Sequence, residues 1–385
     1  MSLDVFRGAT IAAMMLVNNP GDWSAAYSPL LHASWHGWTF TDTVFPFFLW
    51  IVGVAIPLSI VRRLEQGQSR RELFTHAVRR AAILFGLGLF LNSFGYLIDG
   101  SLLRDGLGDW LHHYLTTVRI PGVLQRIAVC YLAAIAVFLL TEVRGQIITV
   151  GALLLVYWLL MALVPVPGYG AGVLEKEGNF SQFIDNLLLN GPLIGTHVWK
   201  SSGTWDPEGI VSTLPAIATC LFGVLTGHLL RQPWSPAVRT SWIFTGGSVL
   251  MFAGQLMHLW LPINKNIWTS SYSIFMAGLA MVCFGVCYWI VDVQGWRRWA
   301  RPLAIYGMNA ITVFVLAGIL GRLTTTIKVG GKSGDPMALK TLLYNLLFAP
   351  IPDPKVASLA WALMYVGILY AVAWYMYRRK WFVKF

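Results

Sequence analysis

The chain has 385 residues, 56% of them hydrophobic and 12% charged, with a formal net charge of +11. Soluble domains carry about 25% charged residues, so a soluble globular protein is excluded and a polytopic membrane protein is expected. The basic residues sit between apolar spans, where orientation in a bilayer accounts for them, and no nucleic-acid partner is expected.

A membrane-spanning helix needs about 20 mostly apolar residues. Ten stretches answer to that: Val5–Asn19, Thr43–Val61, Ala77–Tyr96, Pro121–Leu140, Gln146–Val164, Gly209–Leu230, Arg239–Trp260, Ser270–Val291, Pro302–Gly321 and Val356–Tyr377. Val5–Val17 has the length of a signal peptide, but Asp4 and Arg7 mix the charge before it, so a retained helix is expected. Leu339–Pro350 is too short to cross and reads as re-entrant or interfacial. Cys130, Cys220, Cys283 and Cys287 all fall within apolar spans. They make neither a disulfide framework nor a CxxC metal pattern, and no metal site is expected.

Alternate connectors are basic. Arg62, Arg63, Arg70, Arg71, Arg79 and Arg80 lie between the second and third spans, Arg144 after the fourth, and Arg231 and Arg239 after the sixth. Arg297, Arg298 and Arg301 follow the eighth, and Arg378, Arg379, Lys380 and Lys384 form the tail. The first connector, Pro20–Asp42, has no Lys or Arg. Basic residues stay on the cytoplasmic side. The expected fold is therefore an all-α polytopic membrane protein of about ten transmembrane helices, both termini inside, in one domain over residues 1–385. Two long connectors lie outside. Residues 165–208, rich in Gly, Pro, Asn and Asp, should be loop with a short helix at Ser181–Leu189, acting as a lid. Residues 322–355 hold Gly330-Gly-Lys-Ser-Gly334, which lacks the full GxxxxGK[ST] frame and reads as a flexible turn.

The chemistry concentrates in the first connector. His32, His36, Trp35, Trp38 and Asp42 lie within eleven positions of one another. Tryptophans there serve as interface anchors, but a histidine and an aspartate beside a bilayer are costly unless paired or used. His32 is the candidate catalytic base or acyl acceptor. Asn18, at the end of the first span, would fix the histidine tautomer or steady an oxyanion, beside a plain helix-stopping role. Arg126 and Asn309 fall within spans, where polar groups serve either function or helix association. Asp4 and Arg7 make a local pair or a contact for an anionic cofactor. Asp206 and Glu208 favour a helix N-terminus and also suit a sugar bearing hydroxyls and an amine. Asn264-Lys265-Asn266-Ile267-Trp268 is a polar connector of the same kind.

Taken in order, Ser2-Leu-Asp-Val-Phe-Arg-Gly8, Val17-Asn18, His32-Ala-Ser-Trp35, Asp42-Thr-Val-Phe-Pro46, Arg119-Ile-Pro-Gly-Val-Leu-Gln-Arg126, Pro165-Val-Pro-Gly168, Asp206-Pro-Glu-Gly209, Pro262-Ile-Asn-Lys-Asn-Ile-Trp268, Val291-Asp-Val293 and Gly307-Met-Asn309 resemble the heparan-alpha-glucosaminide N-acetyltransferase family in its compact bacterial form. The resemblance covers nearly the whole chain. It implies a ten-helix, often dimeric transferase of the bacterial inner membrane, moving acetyl from cytoplasmic acetyl-CoA to a glucosamine-type amine on the other side. It implies His32 as the catalytic histidine and Asn18 as its partner asparagine. Read from their own chemistry in the outer connectors, His36, Asp42, Asp206, Glu208, Asn264, Lys265 and Trp268 are the expected acceptor contacts. Asp4, Arg7, Arg126, Asn309 and Lys384 would serve acetyl-CoA. The chain departs from the animal members at His36, where they read asparagine, and at Ala317-Gly318, where they carry His-Glu. Both departures bear on the acceptor. The competing reading is an amino-sugar transporter, which would have no reason to bind acetyl-CoA; no inverted repeat accompanies it.

Overall fold

The computed structural model describes residues 1–191, 194–330 and 336–383. Lys384 and most of the glycine-rich turn at 330–334 lie outside those residues. The helices in order are α1 (Ser2–Asn18), α2 (Phe40–Glu65), α3 (Arg70–Ile98), α4 (Ser101–Thr117), α5 (Val123–Leu140), α6 (Val143–Leu163), α7 (Phe180–Leu189), α8 (Thr213–Leu230), α9 (Pro236–Met257), α10 (Ser270–Tyr288), α11 (Arg301–Met308), α12 (Ala310–Thr326), α13 (Leu339–Leu347) and α14 (Pro354–Arg378). Two short antiparallel ribbons in the two long connectors are the only sheet among the described residues.

Every expected span falls on helix, and the protein is an all-α polytopic membrane protein. Among the described residues seven helices are long and apolar enough to cross a bilayer, or eight if α11 and α12 form one span broken at Asn309, where the pair bends by 75°. The two expected spans that fall short are α1, with 17 residues, and α9, whose Gly, Ser, Thr and Gln dilute its apolar content. One helix outside the expected spans is α4, a polar segment bent at Gly106, where φ is 81°. Its Leu103, Leu107, Leu111 and Leu115 recur every four residues on the exposed side, an amphipathic period that a search for long apolar runs passes over. The short helix expected at Ser181–Leu189 is α7, and the half-span at Leu339–Pro350 is α13.

The bundle is organised on α2. Sixteen of its residues are buried, Leu49, Trp50 and Val54 completely. It crosses α8 where Gly53 faces the Cys220 carbonyl and Gly223 faces that of Trp50; a methyl group at either glycine would collide with the opposing backbone. Gly8 of α1 and Gly307 of α11 make the same kind of contact with Leu303 and Asp4. Small residues let backbones approach where lipid supplies no hydrophobic drive between helices. The outer surface stays apolar instead, with Ile148 at 70% and Phe252 at 71% exposure, as a lipid-facing surface requires.

The connectors gather on two faces. Arg231, after α8, pairs with Glu65 at the end of α2 at 3.2 Å, and Arg70 donates to Leu139 O at the end of α5. On the other face, Trp35 of the first connector donates to Leu174 O, and Gly37 N donates to Ile263 O. The arginine-rich connectors thus share one face and the His32 connector lies on the opposite one.

Candidate active site

His32 is held by the residue that starts α2. Thr39 and Asp42 form a reciprocal capping box, in which the aspartate reaches back to the Thr39 N–H at 2.9 Å. Such a box satisfies backbone donors that the first helical turn leaves orphaned. The same carboxylate accepts from Ala33 N at 3.0 Å and from His32 Nδ1 at 2.5 Å. The Tyr272 hydroxyl donates to the Asp42 carbonyl from α10. Asp42 is 1% exposed and His32 44%. A carboxylate can only accept, so the proton between them belongs to Nδ1, and Nε2 bonds no group among the described residues. Asp42, expected among the acceptor contacts, has its oxygens occupied from within the chain; it orients the histidine.

The other expected acceptor contacts are largely engaged. His36 Nδ1 lies 3.3 Å from the Asn264 amide and its Nε2 lies 3.8 Å from Glu175. Asn264 is fully buried, and its oxygen accepts from Asn266 N and Ile267 N, closing the turn before α10. Trp268 has no exposed surface; its indole donates to Thr219, and the Arg126 guanidinium lies over its ring. It is a core residue and cannot stack on a sugar.

Asp206 and Glu208 are closed off by Arg119. The guanidinium makes a forked contact to Asp206, with Nε to Oδ2 at 2.7 Å, and reaches Glu208 at 2.5 Å. Burial alone would lower the Arg119 pKa, but the two carboxylates raise it. Burial likewise opposes ionisation of Glu208, yet Arg119, Lys265 and Arg126 hold it below the usual range. Arg126, expected to serve the cofactor, spends its donors on Pro207 O, Gly209 O and Ser212 Oγ. The four residues fix the Asp206–Gly209 turn at the head of α8. Asp185, on α7 of the same loop, accepts from Ile210 N and is pushed up to about 7 by burial.

Two cavities lie among α1, α3, α5 and α12. The outer one, about 380 Å³, is lined by Asn18, Asn92, Arg119, Gln125, Arg322 and Lys340 among others. It also takes in Ala317 and Gly318. Asn18 is exposed there, unlinked to His32 by any hydrogen bond, and His32 is outside the lining. The inner cavity, about 340 Å³, is lined by Arg7, Arg80, Ser59 and Tyr131, with Val383 of the tail. Arg7 pairs with Asp4 at 3.0 Å, the local ion pair that the sequence offered beside a cofactor contact. Asn309 sits at the α11–α12 break. Its oxygen accepts from Val383 N, and its buried Nδ2 has no partner among the described residues.

The family model described as "Domain of unknown function (DUF5009)" matches residues 1–98, which hold α1, His32 and Asp42. The Homo sapiens protein named heparan-alpha-glucosaminide N-acetyltransferase is 30% identical over 360 residues, 82% of this chain and 52% of its own length. The Mus musculus protein of the same name is 29% identical over 359 residues, 81% of this chain and 52% of its own length. The chain belongs to this family. It spans about half the length of these curated relatives.

Sequence reasoning left out three features of this site. The capping motif Thr39-x-x-Asp42 was a readable sign that Asp42 begins a helix, but not that His32 folds back onto it. Arg119 lies in a connector with no charged neighbour in sequence, and its partners are 87 and 89 residues away. Arg80 was absorbed by the basic-connector explanation, although its buried Nε lacks a partner and its guanidinium lies 5.0 Å over the Tyr131 ring.

Proposed function

We propose that this protein is a transmembrane acetyltransferase, moving acetyl from cytoplasmic acetyl-CoA to the amine of a glucosamine-type sugar on the opposite side of the bacterial inner membrane. The observation that carries the reading is the His32–Asp42 pair, which leaves Nε2 free on the face away from the arginine-rich connectors. Arg7, in the cavity nearer those connectors, supports an inner-side contact for the cofactor phosphates, with Lys384 added by the sequence pattern.

In the direct route, His32 Nε2 takes a proton from the acceptor ammonium, since a protonated amine has no lone pair to attack with. The amine then forms its bond to the thioester carbonyl carbon, and an Asn18 N–H stabilises the oxyanion. The carbon–sulfur bond breaks, and the leaving thiolate takes up a proton to give free CoA. In the covalent route, Nε2 attacks the thioester carbonyl, the carbon–sulfur bond breaks and CoA leaves as thiolate; the amine then attacks the acetyl carbon, the bond to Nε2 breaks, and the proton the amine sheds is taken up by the freed imidazole or the thiolate. Acetyl-enzyme trapped without acceptor distinguishes the two. His36 and Lys265 are the acceptor contacts that retain exposed surface, and a homodimer is the assembly the family resemblance points to.

The test uses sealed right-side-out vesicles with labelled acetyl-CoA loaded inside and a panel of amino sugars outside. Labelled N-acetyl sugar should form outside. No transfer to any amino sugar, with acetyl-CoA neither bound nor consumed, would favour the transporter. Transfer with both substrates supplied from one face would remove the transmembrane route.

A further inference from the structure

The two cavities are stacked along the helices that line them. On α1 the inner cavity touches Arg7 and the outer one Asn18; on α3 the pair is Arg80 and Asn92; on α12 it is Ala310 and Arg322. Eleven or twelve residues of α-helix rise about 17–18 Å, which is the span from the inner end of one cavity to the outer end of the other; between them the linings come within about a turn, at Leu84 and Gly88 on α3 and at Ile311 and Phe314 on α12. An extended phosphopantetheine arm, about as long as five extended residues, covers roughly 17 Å. Leu124, in the first turn of α5, lines both cavities and is only 4% exposed. Below it the walls are Leu84, Ile127 and Ile311; above it they are Leu91, Gly88 and Phe314.

We propose that Leu124 is the constriction through which the thioester arm of acetyl-CoA passes from the inner cavity into the outer one. This rests on the acetyl-transfer reading. The nucleotide end stays with Arg7 and Arg80, and the acetyl group emerges beside Asn18. A leucine suits this place. Its branched side chain closes an apolar neck against water and ions when the arm is absent, and it gives way to the methylene and dimethyl carbons of the arm without leaving a buried polar group unpaired. Leu124 is thus a positioning residue: it forms no bond to the reacting atoms.

The experiment compares wild type with Leu124→Trp and Leu124→Phe, measuring turnover and the binding of adenosine bisphosphate, which has no arm. The bulky variants should bind adenosine bisphosphate as wild type does, while turnover falls about 100-fold for an arm held short of its position. A separate Leu124→Cys variant should be alkylated by a small thiol reagent, and acetyl-CoA should protect it where adenosine bisphosphate does not. Wild-type turnover in Leu124→Trp, or equal protection by both ligands, overturns the constriction. If wild type neither binds nor turns over acetyl-CoA, the transferase reading itself fails and the constriction falls with it.

Discussion

The Asp42 carboxylate and the Asp206–Glu208 pair are both buried beside a nitrogen group, yet they leave different things open: one an imidazole nitrogen, the other the edge of a guanidinium already paired with two carboxylates. Asp42 holds a histidine that is 44% exposed. Asp206 and Glu208 hold a guanidinium that is 21% exposed and whose donors point at carboxylates. In the first cluster the partner is an imidazole whose Nε2 bonds no group among the described residues. In the second, charge meets charge through Nε and Nη2, and the rest of the guanidinium lines the outer cavity. A buried ion pair of the second kind resists loss of either partner far more than it adds net stability. The lesson is that two acidic motifs that look equally functional in sequence separate by what remains unsatisfied after folding.

The sharpest way to break that contrast is at His32. His32→Ala should lower acetyl transfer about 1,000-fold or more, the range of a lost general base. Its melting temperature should stay near wild type, because the ring is half-exposed and Asp42 keeps its backbone donors. Normal turnover in the purified variant would remove His32 from the chemistry. Asn18→Ala comes next. If the amide donates to the oxyanion, turnover should fall about 100-fold. If only the melting temperature moves, Asn18 ends α1 and does nothing more.

Arg119→Leu should have the reverse signature. It strands Asp206 and Glu208 as buried, unpaired carboxylates, and removal of one partner from such a pair costs about 3 kcal/mol. Denaturant or thermal unfolding should record that loss, while the turnover of the molecules that remain folded stays close to wild type. A variant as stable as wild type but catalytically dead would place Arg119 in the outer cavity's chemistry instead of in a clamp.

How much of this could be read beforehand follows from distance along the chain. The spans were legible because each is a continuous run whose neighbours in sequence are its neighbours in the helix. His32 was legible because a bare histidine in a Lys- and Arg-free connector asks for an explanation. Its contact with Asp42, ten residues on, was not legible, since a capping aspartate and a ligand aspartate have the same sequence signature. Arg126 and Trp268 read as functional for being polar or aromatic in odd places; the fold places the guanidinium over the indole, 5.2 Å from the ring centre. The α4 helix was hidden because its leucines repeat with a polar period, and Arg80 because orientation in the bilayer already accounted for it.

The smallest effect belongs to Asp185, on the loop that the Arg119 clamp helps to fix. Burial raises its pKa to about 7, against about 3.9 for a free aspartate. Between those two values the folded protein holds a proton that the unfolded chain has released. Stability from this group is therefore greatest at the acid end, falls as pH rises through that window, and levels off above about pH 7. Asp185→Asn keeps an oxygen for the Ile210 N–H and removes the titration. Its stability should be flatter with pH, and it should gain on wild type by about 1 kcal/mol between about pH 6 and about pH 8. Because Asp185 touches neither cavity, turnover should be unchanged at every pH. Parallel stability curves for the two proteins would show that Asp185 is ionised throughout. A change in the pH profile of turnover would make the α7 loop part of the reaction.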